Sequence, residues 1–165
     1  MPTTRLRTPE QMLAYPPLKD VLAAKAPGVH AVTPADSVYA ALERMAEHGI
    51  GFLVVLEGER LAGVLSERDY ARKVILQNRS SRDTAVREIM TTKVVTVTPD
   101  QTIPQCMSLM NTHGFRHLPV VERDRVIGVV SVRDLLKAIV GHHERCIRDL
   151  ELERMTTFTP NASSY

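Results

Sequence analysis

Gly63-Val64-Leu65-Ser66-Glu67-Arg68-Asp69 is answered 65 residues later by Gly128-Val129-Val130-Ser131-Val132-Arg133-Asp134. The echo extends without a gap over residues 29–70 and 94–135, with identities at Val32/Val97, Thr33/Thr98, Pro34/Pro99, Met45/Met110, His48/His113, Gly49/Gly114, Leu53/Leu118 and Val55/Val120. A string as uncommon as Gly-Val-x-Ser-x-Arg-Asp does not return in one register by chance, so the chain is a duplication. Upstream, Lys19-Asp20-Val21-Leu22 pairs with Arg87-Glu88-Ile89-Met90, and the first copy then carries three more residues, turned at Pro27-Gly28. The chain divides into an arm (1–17), a first repeat (18–76), a polar linker (77–85), a second repeat (86–140) and a tail (141–165).

Each repeat reads as helix, strand, helix, strand, strand, helix. In the second copy the β-branched run 94–97 stops at Thr98-Pro99, with Thr98 placed to cap a helix over 103–112 that carries Ile103, Met107 and Met110 on one face. Strands are expected over 118–121 and 126–130, joined by the turn Glu122-Arg123-Asp124-Arg125. A last helix starts near Ser131 with Leu135, Leu136, Ile139 and Val140 facing inward. The tail can prolong that helix, with Cys146, Ile147 and Leu150 on one side, an apolar stripe suited to docking on its own module or on a second subunit.

Composition narrows the function class. Lys+Arg 21 against Asp+Glu 19 gives no broad electropositive surface for nucleic acid, and 44% hydrophobic residues exclude a disordered chain. With Trp 0 and Phe 3 the core must be aliphatic, which favours sheets covered by helices. The apolar run 52–56 is far short of the ~20 residues of a membrane helix. Cys106 and Cys146 lack CxxC spacing and the first residues are polar and basic, so a reduced, cytoplasmic protein is expected.

The repeated string carries chemistry. Gly63 and Gly128, ending buried strands, permit close approach of a ligand. Ser66 and Ser131 follow at helix starts, where a hydroxyl caps free amides or bonds a ligand. Asp69 and Asp134 fall in the first helical turn, where the dipole favours a carboxylate, and a fixed carboxylate can accept hydrogen bonds from both hydroxyls of a ribose cis-diol. A lone Ser-x-x-Asp is more often a plain helix start; two in register after identical Gly-Val strand ends favour ligand contact at both.

Both copies resemble CBS domains (cystathionine-β-synthase-type modules), and residues 18–140 resemble a stand-alone tandem pair. The resemblance rests on the two Gly-h-x-Ser-x-x-Asp strings, which include Val129, Arg68 and Arg133, and on Gly114-Phe115-Arg116-His117-Leu118-Pro119-Val120-Val121. It implies an α+β fold in which two β-α-β-β-α repeats pack by pseudo-twofold symmetry into one CBS-pair (Bateman) module with two related clefts. The implied ligands are adenosine compounds: AMP, ADP, ATP, NAD or S-adenosylmethionine. A homodimer and a separate effector protein are the implied partners.

By the same resemblance Arg116 and His117 stand where phosphate-binding residues are placed, whereas the first copy has Gly51 and Phe52 there, so the clefts are expected to be chemically unequal. Ile50, Phe115, His30 and Val95 are the expected walls for the base. Clefts in this family combine both repeats, so Asp69 is expected to serve a site walled by the second copy's strands, and Asp134 the converse.

Other signals are weaker. His48 and His113 precede helix-ending glycines and suit a C-terminal cap; His142 and His143 are expected to be solvated. Cys106 replaces Ala41 as a small buried residue. The series Arg68, Arg72, Lys73, Arg79, Arg82 and Arg87 lacks stacking aromatics and reads as a solvated face, which leaves a nucleic-acid or protein adaptor as the alternative function. No catalytic residue set and no metal cluster is expected.

Overall fold

A computed structural model describes residues 14–157. Residues 1–13 of the expected arm and residues 158–165 of the tail, Phe158 among them, lie outside the described residues. The first half runs α1 (Leu18–Ala23), β1 (Ala31–Val32), α2 (Val38–His48), β2 (Phe52–Glu57), β3 (Arg60–Ser66) and α3 (Glu67–Tyr70), which a π-helical turn over Ala71–Ile75 prolongs. The second runs α4 (Val86–Ile89), α5 (Ile103–His113), β4 (His117–Glu122), β5 (Arg125–Ser131) and α6 (Val132–Thr157). This is the expected α+β architecture, in two small sheets.

In one sheet β1 lies parallel to β2 and β2 antiparallel to β3; in the other β4 and β5 are antiparallel. The expected strand over 94–97 shrinks to a single bridge between Val97 and Val120. Val54 explains the difference: its N–H donates to the His30 carbonyl (3.2 Å), extending β1, whereas the matching position in the second copy is Pro119, which has no N–H.

Helix starts follow local chemistry. Ser37 Oγ accepts from the Ala40 N–H and Thr102 Oγ1 from the Gln105 N–H, capping α2 and α5. The cap of α5 is therefore Thr102 and not Thr98, whose N–H instead donates to the Gln105-like neighbour Gln101 through Oε1 at 2.9 Å. Both long repeat helices end on left-handed glycines, Gly49 (φ 62°) and Gly114 (φ 67°).

The two halves exchange their leading helices. The Leu18 and Lys19 N–H groups donate to the Gln101 and Pro99 carbonyls (3.1 and 3.0 Å), and Leu18 and Val21 are buried among Val97, Ile103, Leu118 and Leu135 of the second repeat. Reciprocally, the Val86 and Arg87 N–H groups donate to the Asp36 and Pro34 carbonyls (2.8 and 3.0 Å), and Val86 and Ile89 are buried among Val32, Val38, Leu53 and Leu65 of the first. Each core is thus completed by the helix that precedes the other repeat.

This exchange explains the repeated glycines in a way that departs from the expectation of ligand approach. A Cβ on Gly63 would stand 2.8 Å from the Thr91 carbonyl oxygen, and one on Gly128 would stand 2.7 Å from Leu22 Cδ2. Both glycines are buried against the exchanged segments. Because a side chain can yield where a backbone carbonyl cannot, Gly63→Ala is expected to lower stability by about 1–3 kcal/mol and Gly128→Ala by less. Urea unfolding of the two variants checks this, and equal costs would contradict the packing described.

The segment between the repeats is only partly solvated. Thr84 is buried, its carbonyl accepts from the Val38 N–H (2.9 Å), and the Ser81 carbonyl accepts from the Tyr39 N–H (2.9 Å), so the linker seals the start of α2. The last helix continues unbroken into the tail, as its pattern predicted. Its inner face is Leu135, Ile139 and His142, however, while Leu136 and Val140, expected inward, are about half exposed. His142, expected in solvent, is buried beside Tyr15 (ring centroids 5.1 Å), and the Tyr15 hydroxyl lies 3.2 Å from His143 Nε2.

Candidate functional site

Ser66 and Asp69 close a capping box at the start of α3. Asp69 Oδ2 accepts from the Ser66 N–H (3.0 Å) and hydroxyl (2.7 Å), and Ser66 Oγ accepts from the Asp69 N–H (3.2 Å). Ser131 and Asp134 repeat the arrangement at α6, with 2.8, 2.9 and 3.2 Å. The plain helix-start role is therefore real in both copies, and it locks each carboxylate in one orientation.

Around Asp69 that carboxylate looks into a cleft of about 580 Å³ built from both repeats. One wall is Gly51, Phe52, Val64, Ser66, Glu67 and Arg68 of the first repeat; the other is Val94, Val95, Phe115, Arg116, His117 and Arg133 of the second, with Thr91 and Lys93 between them. Residues of both repeats thus meet around Asp69 in one cleft. Arg116, His117, Phe115, Val95, Arg68 and Arg133 all join it. His30, Ile50, Gly63, Gly128, Val129, Ser131 and Asp134 do not line this cleft.

The electrostatics are mainly cationic. Arg68, Lys93, Arg116 and Arg133 face the cleft against Glu67 and Asp69. Burial works to raise the Asp69 carboxyl, but hydrogen bonds from Lys73 and Ser66 outweigh it and hold the group below its ordinary value. Lys73 Nζ lies 2.8 Å from Asp69 Oδ1 and also donates to the Ile89 carbonyl (2.6 Å); the Thr91 hydroxyl approaches the same oxygen at 3.4 Å.

His117, expected as a phosphate donor, lines the cleft with its ring held against the first repeat. Its ring stacks on Phe52 with centroids 4.6 Å apart and planes 10° from parallel. Burial lowers its pKa, the Asp134 carboxylate opposes this, and Lys25 and Arg116 lower it further. Burial thus favours the neutral imidazole, which lies as a flat wall against Phe52. Phe52 and His117 are matching positions of the two repeats, so the stack lies across the pseudo-twofold relation.

The second carboxylate has another environment. Lys25 Nζ donates to Asp134 Oδ2 and to the Val129 carbonyl, both at 2.7 Å. Burial tends to raise the Asp134 carboxyl and Lys25 and Ser131 bring it below its ordinary value. His30 is exposed and rests on His48, with ring centroids 4.1 Å apart. Sequence reading missed Thr91, Lys93 and Lys25; carrying the upstream match Lys19/Arg87 six residues further pairs Lys25 with Lys93 and would have found two of them.

The basic series is largely engaged. Arg79 is ion-paired with Glu88, Arg82 lies 3.8 Å over the Tyr39 ring, and Lys73 is on Asp69. Among the described residues no group of three or more His, Cys, Asp or Glu stands together as a metal site, and no helix is long and apolar enough to cross a membrane.

Two sheet-and-helix halves, each completing the other and sharing a crosswise cleft, define a tandem-repeat module. The chain belongs to the CBS domain family, whose profile matches residues 18–76 and 86–141. It is 41% identical over 131 residues to the CBS domain-containing protein CBSX3, mitochondrial, of Arabidopsis thaliana, a match that covers 76% of this chain and 61% of that relative. The chain thus spans about three fifths of that relative's length. Among solved structures, a CBS-domain protein from Burkholderia ambifaria is similar at 46% identity, covering 76% of this chain and 95% of the other with a TM-score of 0.74. The CBS domain pair of protein MJ0100, solved in complex with 5′-methylthioadenosine and S-adenosyl-L-methionine, is 26% identical with a TM-score of 0.68, covering 77% of this chain and 98% of that one.

Proposed function

We propose that this CBS pair is a non-catalytic sensor of adenine nucleotides and that the Asp69 cleft is its ligand site. The observation that carries the reading is the crosswise cleft itself, in which one locked carboxylate faces four cationic side chains across about 580 Å³. Ribose hydroxyls would donate to Asp69 in place of the weak Thr91 contact, the base would lie against Val95, Phe115 and the flat Phe52–His117 pair, and phosphates would meet Arg116, Lys93 and Arg133. This balance favours AMP, ADP, ATP or NAD over S-adenosylmethionine, whose sulfonium would add a cation to a cationic site. The ligand of the MJ0100 pair supports an adenosine compound as the class.

Thermal shift with AMP, ADP, ATP, NAD, S-adenosylmethionine and adenosine tests it. A ligand at a hundred times its Kd adds about 2.7 kcal/mol of stability, so the phosphate-bearing compounds are expected to raise Tm by several degrees. No shift with any of the six would overturn the reading. The same reading includes a homodimer, supported by the half-exposed Leu136, Val140, Ile147 and Leu150 along α6. The adaptor alternative is weakened by the internal pairing of Lys73, Arg79 and Arg82.

A further inference from the structure

Both signature carboxylates carry an ammonium, and the two ammonium groups come from positions that do not match. Lys73 Nζ lies 2.8 Å from Asp69 Oδ1, and Lys25 Nζ lies 2.7 Å from Asp134 Oδ2. The register of the repeats pairs Lys73 with Ala138, and the upstream register pairs Lys25 with Lys93, which lines the Asp69 cleft. Each copy has therefore reached the same charge pair with a residue that its twin lacks or uses elsewhere. A relic of the duplication would sit at matching positions, so the ammonium answers a need at each carboxylate.

At Asp69 the same ammonium also holds the exchanged helix. Lys73 Nζ donates to the Ile89 carbonyl at 2.6 Å. Ile89 is the last residue of α4, where helix carbonyls lack intrahelical partners, and its side chain is fully buried with Leu53 and Leu65. Lys73 itself stands on the π-helical turn that prolongs α3 and is not part of the cleft lining, so it reaches Asp69 from outside the cleft. Thr91, which does line the cleft, meets the same Oδ1 with its hydroxyl at the longer distance of 3.4 Å.

Burial makes this ammonium matter to a ligand. The Asp69 side chain keeps 16% of its exposure. A nucleotide seated on it would exclude the remaining water, and a buried carboxylate without a counter-charge is costly. Ribose hydroxyls can take the place of the Thr91 contact, but being neutral they cannot take the place of Lys73.

We infer that Lys73 is a positioning residue of the nucleotide site, which anchors Asp69 from behind and fastens that carboxylate to the closing end of α4, so that a ligand on Asp69 acts on the joint between the repeats. This rests on the nucleotide reading proposed above.

Calorimetry with AMP and hydrogen exchange at α4, on the full chain and its K73M and K73R variants, test the inference. K73M is expected to bind AMP about tenfold more weakly than wild type, the equivalent of one charge-assisted hydrogen bond, and K73R to recover most of that loss. Without ligand, exchange at the Met90 amide, which donates to the Val86 carbonyl at the end of α4, is expected to be faster in K73M than in wild type or K73R, with α5 unchanged. With AMP bound, Met90 is expected to slow relative to α5 in wild type and not in K73M. Equal AMP affinity in wild type and K73M, or a loss that K73R does not recover, would overturn the anchoring and leave the nucleotide reading standing. Met90 exchange indifferent to both AMP and the substitution would overturn the fastening to α4. Failure of AMP to bind all three proteins would overturn the nucleotide reading and the anchoring with it, while the ligand-free exchange still decides the fastening.

Discussion

Leu18→Ala is expected to lower the free energy of unfolding by about 3 kcal/mol, and to loosen the repeat that it does not precede. Truncating a fully buried leucine removes its transfer free energy and leaves a cavity, together about 2–5 kcal/mol. Leu18 is completely buried, among Val97, Ile103, Leu118 and Leu135. Hydrogen exchange should therefore speed up at β4 and β5. Ile89→Ala is the mirror experiment, because Ile89 is buried with Leu53 and Leu65, and should speed exchange at β2 and β3. Protection lost in the neighbouring repeat along the chain, instead of the exchanged one, would refute the packing. Both variants should still unfold in a single transition, since neither core closes without the other half.

Asp69→Asn should weaken AMP binding by about 100-fold, with little change in the fold. A hydrogen bond to a charged group contributes about 1.5 kcal/mol or more, and two from a cis-diol give about 3 kcal/mol, with each 1.4 kcal/mol worth a factor of ten. Asparagine keeps the shape and an oxygen to accept from the Ser66 N–H, so the start of α3 survives. Calorimetry on a variant with wild-type circular dichroism is the measurement. An unchanged Kd would remove Asp69 from the ligand site.

Much of the fold was legible because it is written twice. The hairpins β2–β3 and β4–β5 and the helices α2 and α5 with their closing glycines all follow from the repeated pattern and the family resemblance. What the pattern could not carry was direction. Leu18, Val21, Val86 and Ile89 announce burial but not the core that receives them, so the exchange of leading helices was invisible. That exchange in turn misdirected the reading of Gly63 and Gly128. On α6 the periodicity marked a stripe, but the sheet and Tyr15 lie toward Leu135 and His142, which left Leu136 and Val140 outside. Pro119 hid the loss of a strand through the absence of one N–H. For His117 the pattern gave a basic residue beside the cleft but not its stacking on Phe52, the matching residue of the other repeat, because a contact between repeats leaves no mark in the spacing within either one.

The exchanged helices also set an order of events during synthesis. Val86 and Ile89 emerge from the ribosome well after β3, so the first repeat must wait for them with Leu53 and Leu65 uncovered, while Leu18 waits longer still, until Leu118 and Leu135 have been made. A nascent chain arrested between the repeats would hold an open apolar surface at both ends, a substrate for chaperones and proteases and not a half-sized functional unit. The same interdependence constrains the gene: neither copy can be lost or recombined alone, because each supplies the piece that closes its twin.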